Sequence, residues 1–549
     1  MNWYGNLALF RAAIREKRAS TTAWIVGGFI AMYFEAVAVA AELRDFPGGA
    51  QALAQSIMPT IEAMRIIRWP ADRLDTLGGY LAYHNVVIVG YFLAIYCAVQ
   101  GARSIRHLED LNNLEYLLAT GKSRTTILWI RSLAFLFSIL IVSFGLGLGT
   151  AFAMWSSGQP DFSGTVITML ATGICITPFF GLGLVISQFI TKARVAAGLS
   201  VIVVTSIYAI GNISDKYDWL SWFSNLSPFY YANLSRPMIP GFTANYWSWF
   251  LMMGVTLGLI ACAAWLMQRR DIGAAIDTGM TWPKFSSRQS RKETAPRSIV
   301  GHMLGRSRVG IIVWAVTTSA FALVFILLMD DILKVWEQMS FLAQFTASGF
   351  GSTAAQQYIA LTFEILPIFL TGYIISQASV WTLDRVEGRT DLFLSAPISW
   401  QRLVTDRMSA VVIGAAIIAI SAVVTVSAGA TVQGATVDME GIFRVIVMSL
   451  VLVLTLTSLA AFLIRIFQRQ SIILPMSIYA GAAWLLIFMQ PYLDWPNWIL
   501  RLSIFHAFGH PYIEWPDVNE VMGIVIITLV CLIGSLINRS PLPISRGNK

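Results

Sequence analysis

Residues 218–229 read DWLSWFSNLSPF, and residues 494–505 read DWPNWILRLSIF. Asp218 and Asp494, Trp219 and Trp495, Trp222 and Trp498, Leu226 and Leu502, Ser227 and Ser503, and Phe229 and Phe505 are each 276 positions apart. The same interval aligns Glu115 with Asp391, Leu118 with Leu394, Ser123 with Ser399 and Arg131 with Arg407, so one spacing holds over more than a hundred residues. Near the start of each half the interval becomes 290, pairing Arg18 with Arg308 and Trp24 with Trp314, which places the length difference in the first outer connections.

What repeats is apolar. The chain is 56% hydrophobic and 12% charged, against about a quarter charged in a soluble domain, so a single soluble core is excluded. Runs long enough to cross roughly 30 Å of hydrocarbon fall near 21–41, 80–101, 126–151, 164–190, 195–211 and 244–267. A second set falls near 309–329, 358–380, 408–431, 442–464, 471–489 and 518–537. Twelve spans predict an all-α polytopic membrane protein. Six spans separate the repeats, so both halves enter the membrane in the same direction, and a pseudo-twofold axis along the membrane normal is expected. The expected organisation is a first half at 1–267, a basic linker at 268–308, a second half at 309–537 and a tail at 538–549. With the N-terminus inside, the inner connections hold 28 Lys and Arg and the outer ones 8, which predicts that both termini and the linker are cytoplasmic. The linker carries SSRQSRKETAPR, with few acids (Asp271, Asp277, Glu293), and reads as a solvated tether near anionic headgroups.

Each half opens on a short amphipathic segment. In the first, Trp3, Leu7, Phe10 and Ile14 share a helical face while Arg11, Arg15 and Arg18 reach for headgroups, which predicts a helix lying in the interface. Cys97, Cys175, Cys262 and Cys531 sit inside apolar runs and read as small hydrophobes. The five histidines are dispersed, and no metal site or hydrolytic triad is indicated. Gly121-Lys122-Ser123 resembles the end of a phosphate loop, but Tyr116 stands where that loop needs glycine, so no ATP site is expected in this chain.

Two connections hold the informative chemistry: RHLEDLNNLEYLLATGKSR at 106–124 and LDRVEGRTDLFLSAPISWQR at 383–402. Each mixes acids and arginines with an apolar stripe, Leu114, Leu117 and Leu118 in one and Leu392, Phe393 and Leu394 in the other. Such a segment predicts a helix flat on the membrane, either as a plain connector or as a face offered to a partner. The stretch DRVEGRTDLFLSAPIS resembles the signature of type-2 ABC permeases, where an acidic, glycine-containing turn precedes a leucine-rich helix. LSPFYY at 226–231, the turns at Arg236–Gly241 and QRRDIGA at 268–274 are similar to fused antibiotic or polyketide (tetronasin-type) exporter permeases. The resemblance implies elbow helices at the start of each half, coupling helices at the two connections, and a bacterial cytoplasmic-membrane location. It also implies two copies of an ABC ATPase subunit that bind ATP and Mg, so that this chain is not itself an enzyme, and export of an amphipathic drug, antibiotic or lipid-like molecule. Nucleic acid is not among the implied partners. On that resemblance Glu109, Asp110, Glu115, Arg124, Asp384, Glu387, Gly388, Asp391 and Pro397 are the coupling candidates. The first half departs from the pattern, with Thr120-Gly121 where the second has Ala396-Pro397, and no RRDIGA follows the last span.

Ionisable groups inside spans rarely face lipid, because a mid-bilayer charge costs roughly 2.5–3.5 kcal/mol. Glu35, Arg131, Glu364 and Arg444 therefore read first as ion pairs. Tyr83, Asn85, Tyr91, Tyr208, Asn212, Glu364, Tyr373 and Trp484 are candidates to line a substrate cavity. Trp219, Trp222, Phe229, Trp495, Trp498 and Phe505 read as an outer gate or as an interfacial aromatic belt. Two other functions stay open. A secondary, proton-coupled transporter of the major facilitator type also has two parallel six-span halves, but its G-x-x-x-D-R-x-G-R turn is only imitated here by Asp384-Arg385 and Gly388-Arg389, in the other half. A non-transporting scaffold is disfavoured by the lack of a sizeable extramembrane domain.

Overall fold

The computed structural model describes residues 3–46, 48–63, 71–214, 218–276, 298–330, 332–333, 353–386, 388–395, 397–467, 472–488, 490 and 496–537. Among these residues there is no β-strand. The chain divides into two compact units, Met1–Phe285 and Ser286–Lys549.

In the first unit, α1 (Trp3–Asp45) is one helix. The expected interfacial elbow is therefore not a separate element, since residues 3–18 continue into the first span without a break in helical hydrogen bonding. Forty-three residues rise about 64 Å, so α1 overshoots the hydrocarbon. After α2 (Gly49–Ala63), the second span is assembled from α3 (Leu77–Leu81), a π-helical turn (Ala82–Val86) and α4 (Val87–Asp110). Then come α5 (Asn113–Leu118) and α6 (Arg124–Ser156). The fourth span breaks where Pro178 cannot donate, giving α7 (Phe162–Cys175) and α8 (Pro178–Gln188). Thr177 lies at that break, its hydroxyl donating to the Ile174 carbonyl at 2.7 Å and lying 2.7 Å from the Thr256 hydroxyl, as buried polar groups in lipid require. α9 (Ala193–Ser214), a 3-10 helix (Asp218–Leu226), α10 (Pro228–Asn233) and α11 (Tyr246–Gln268) complete the unit. α1 lies along α6, and α4 along α8 and α9. The α4–α8 crossing is close because Gly101 and Gly183 lack side chains: a Cβ on either would strike the carbonyl of Phe180 or Ala98 on the facing helix.

The second unit begins with α12 (Ile299–Leu327), which lies along α16 (Trp400–Val432). Its second span is also broken, into α13 (Ala354–Phe363) and α14 (Leu366–Val386), followed by α15 (Arg389–Leu394). α17 (Met439–Ile466), α18 (Ile473–Phe488), α19 (Asn497–Leu500), α20 (Ile504–Phe508) and α21 (Val518–Leu536) follow, with α14, α16 and α21 against α17. The first ten residues of α12, 299–308, are helical although they fall inside the expected linker; 277–297 lie outside the described residues.

Among the described residues eleven helices are long and apolar enough to cross a membrane, and α18 adds a shorter apolar stretch, Ile473–Ile487, in the place of the expected span 471–489, whose end residues lie outside the described ones. Side chains such as Ile312, Val316, Ile420, Val424, Ile526 and Val530 remain 51–61% exposed on these helices. Apolar surface on that scale is at home only in hydrocarbon. Cys97, Cys175 and Cys531 are buried and Cys262 is exposed, and none forms a disulfide.

Candidate functional site

The two short helices α5 and α15 obey the 276 interval at both ends. Each enters from a left-handed residue, Asn112 at φ 56° and Gly388 at φ 72°, which turns the chain sharply out of the preceding span. Each is followed by a serine N-cap, Ser123 accepting from the Thr126 amide at 3.1 Å and Ser399 from the Arg402 amide at 3.2 Å, so α6 and α16 start at matching residues. Leu114 and Thr390 hold the inward face, both buried, while Glu115, Tyr116, Asp391 and Leu392 are exposed. The candidates Gly388 and Pro397 lie at the rim of α15, and Glu387 lies outside the described residues.

Not all coupling candidates are on this surface. Glu109 is buried, its side chain 3% exposed. Arg106 donates to one oxygen at 2.6 Å and Arg270 to the other at 2.8 Å. Arg106 also donates to the Ser187 and Ala274 carbonyls, each at 2.8 Å, and Arg270 to the Gln188 side chain at 2.8 Å. Asp110 is exposed yet accepts from the Ala193 amide, capping the start of α9, and Arg124 donates to the Arg270 carbonyl. One network thus ties the ends of α4, α8 and α11 to the starts of α6 and α9, and Glu109 organises it instead of facing a partner. Arg106, Gln188 and Arg270 were missed as a group. QRRDIGA carried a signal for Arg270 alone.

In the second unit the buried acid is Asp384. Arg306 donates to both its oxygens at 2.8 and 2.9 Å, with Arg389 at 3.3 Å and Arg407 at 3.4 Å. Asp384 therefore binds α12, α14 and α16 together and is also not a surface group; Arg306 was missed because its partner lies 78 positions away.

Each in-span charge has a partner. Arg131 meets Glu16 at 2.9 Å. Arg444 meets Asp438 and Glu440 and donates to the carbonyls of Pro511, Tyr512 and Ile513. Glu35 lies 2.8 Å from His84 Nδ1, on the π-helical turn, and Glu364 lies 2.6 Å from His510 Nδ1, at the break between α13 and α14. The Glu364 hydrogen bond holds the His510 imidazole above its ordinary pKa, against burial that pulls it down.

The cavity candidates divide. Tyr91 and Tyr208 have ring centroids 4.7 Å apart, and the series continues through Phe229 to Phe179. Asn85 and Asn212 are buried, with no partner for Asn85 Nδ2 or for either polar atom of the Asn212 amide. Tyr83 and Tyr373 are buried, Tyr83 edge-on to the His84 ring, and Trp484 is exposed, at 41%. Among the gate candidates, Trp219, Trp222 and Trp498 are exposed and Phe505 is half-buried, whereas Phe229 is core, held by Tyr208 and Phe179. Trp495 lies outside the described residues.

The family described as "Multidrug efflux system permease Rv1217c, C-terminal domain" matches residues 8–268 and 297–538. No curated protein matches the chain. With eleven apolar helices of spanning length among the described residues and a family match over most of its length, this multi-pass membrane protein belongs to the family of the multidrug efflux system permease Rv1217c, C-terminal domain.

Proposed function

We propose that the chain is the transmembrane permease of an ATP-driven ABC exporter in a bacterial cytoplasmic membrane, with both termini inside. It moves an amphipathic drug, antibiotic or lipid-like molecule outward, and two copies of a separate ATPase subunit bind the ATP and Mg. The observation that carries this reading is the matched pair α5 and α15. Each is a six-residue helix with exposed acidic and apolar side chains, anchored inward by one buried residue. A push on α5 passes through Asp110 and the Glu109 network to the ends of α4, α8, α9 and α11. A push on α15 passes through Arg389 and Asp384 to α12, α14 and α16. These rigid links are what force transmission from an external motor needs. The halves 1–267 and 309–537 then move as the two lever arms.

The test is vanadate-sensitive ATP hydrolysis by the permease co-purified with its ATPase. Asp391→Ala, on the exposed face of α15, should cut transport-coupled hydrolysis severalfold while leaving the permease folded; unchanged hydrolysis would remove α15 from the coupling path.

A proton-coupled secondary transporter is the second reading, favoured by the two carboxylate–imidazole pairs, Glu35–His84 and Glu364–His510, each at an irregular turn of the second span of its half. Transport in proteoliposomes without nucleotide, abolished when the proton gradient is collapsed, would select it.

A further inference from the structure

Helix-end cavities occupy matching places in the two units. The first is lined by Glu16 of α1, Leu108 of α4, Asn113 of α5 and Arg131 of α6. The second, of about 50 Å³, is lined by Arg306 of α12, Asp384 and Trp381 of α14, Phe393 of α15 and Arg407 of α16. By the 276 and 290 intervals Glu16 corresponds to Arg306, Leu108 to Asp384, Asn113 to Arg389 and Arg131 to Arg407. The site is the same and the charge is not.

In the first unit Glu16 meets Arg131, whose Nε donates to the Ser104 carbonyl at 3.0 Å, and buried Lys17 beside them donates to the Gln100 side chain at 2.7 Å, so each cation already has its partner. In the second, Arg306 occupies both oxygens of Asp384. Arg407, 6% exposed, reaches that carboxylate only at 3.4 Å, and its Nε has no hydrogen-bond partner. Arg306, Asp384 and Arg407 thus carry a surplus positive charge even before Arg389 is counted. A buried guanidinium with an empty donor beside a cavity is built for an oxyanion, because charge-assisted hydrogen bonds to phosphate or carboxylate are the ones it makes best.

We propose that this cavity takes the phosphate group of an anionic phospholipid. The lipid source follows from position and lining. Arg306 lies in the first turns of an apolar spanning helix, where headgroups sit, and Met303, Val380, Trp381 and Val411 supply apolar wall beside the charges. The matching cavity in the first unit, with its cations already partnered, does not bind one. A bound headgroup clamps α12 to α14 and α16 and so stiffens only the second unit, whatever drives transport.

The test uses the purified full-length chain in detergent, titrated with phosphatidylglycerol, phosphatidylcholine or inorganic phosphate and read by native mass spectrometry and thermal melting. Phosphatidylglycerol should bind roughly fivefold tighter than phosphatidylcholine, as expected for one surplus cation near the surface. Arg306→Gln and Arg407→Gln should erase that preference. Asp384→Asn, which removes the competing carboxylate, should strengthen it, a sign that no purely structural role for Asp384 produces and that decides the matter even where Arg407→Gln fails to fold. Equal binding of the two lipids, a preference that survives Arg306→Gln, or weakening by Asp384→Asn would overturn the proposal. Inorganic phosphate alone reproducing the full melting shift would overturn the lipid assignment.

Discussion

Glu109 and Glu115 are six positions apart and play opposite parts. Glu109 neutralises two arginines that are themselves buried, Arg106 and Arg270, with side chains 0% and 2% exposed. Removing one partner of such a cluster leaves uncompensated buried charge and costs about 3–5 kcal/mol. Glu109→Ala should therefore lower the melting temperature in detergent sharply, and Glu115→Ala should leave it nearly unchanged, because a substitution at an exposed position away from such features stays within about 0.5 kcal/mol. A melting curve of each variant checks this, and equal effects would deny Glu109 its organising part. This contrast could not be read from RHLEDLNNLEY alone. Both glutamates look like surface acids beside an amphipathic stripe, and what buries Glu109 is Arg270, 161 residues further on. The in-span charges were legible for a physical reason: lipid leaves a charge so few alternatives that pairing Arg131, Arg444, Glu35 and Glu364 followed from depth, though not the identity of each partner.

At the scale of the element, the left-handed entry residue sets the angle at which α5 and α15 leave their spans. Gly388 at φ 72° has open space around it, so a side chain would meet no clash there and its cost is the backbone conformation itself. Gly388→Ala should destabilise by about 1 kcal/mol and loosen α15. Asn112→Gly should be close to neutral, since Asn already tolerates that region. Thermal melting of the two variants side by side tests this, and a neutral Gly388→Ala would mean that α15 is not set by its entry turn. The 276 interval aligned both helices and the serines that follow them, because turn chemistry is local, but that these serines cap α6 and α16 came from the structure. One element reading failed, and another meets the edge of the described residues. The elbow merged into α1 since no Pro interrupts residues 3–45 and the glycines, Gly5, Gly27 and Gly28, fall away from residues 15–20, leaving nothing to break the helix where the amphipathic pattern stops. The described part of α18 has 16 residues and rises about 24 Å, and 471 and 489, the expected ends of that span, lie outside the described residues.

For the whole molecule, the shared direction of the two halves is the expectation on which the proposed coupling depends. Single cysteines placed at Glu115 and Asp391, probed with a membrane-impermeant thiol reagent in oriented vesicles and with the native cysteines removed, should be labelled from the same face. Labelling from opposite faces would end the coupling proposal. The family match fits an efflux permease, and α5 with α15 and α6 with α16 share bounds 276 positions apart. One divergence bears on biogenesis. In the first unit the acid rides on α1 and faces Arg131; in the second α12 carries Arg306 and the acid has moved to α14. Two nearly interchangeable helices entering the bilayer in turn could otherwise trade seats. Were α12 to settle against α6, Arg306 would confront Arg131, and were α1 to take the vacated place, Glu16 would arrive beside Asp384. Like charges would then meet beside the headgroups, so the exchanged positions disfavour the swapped arrangement.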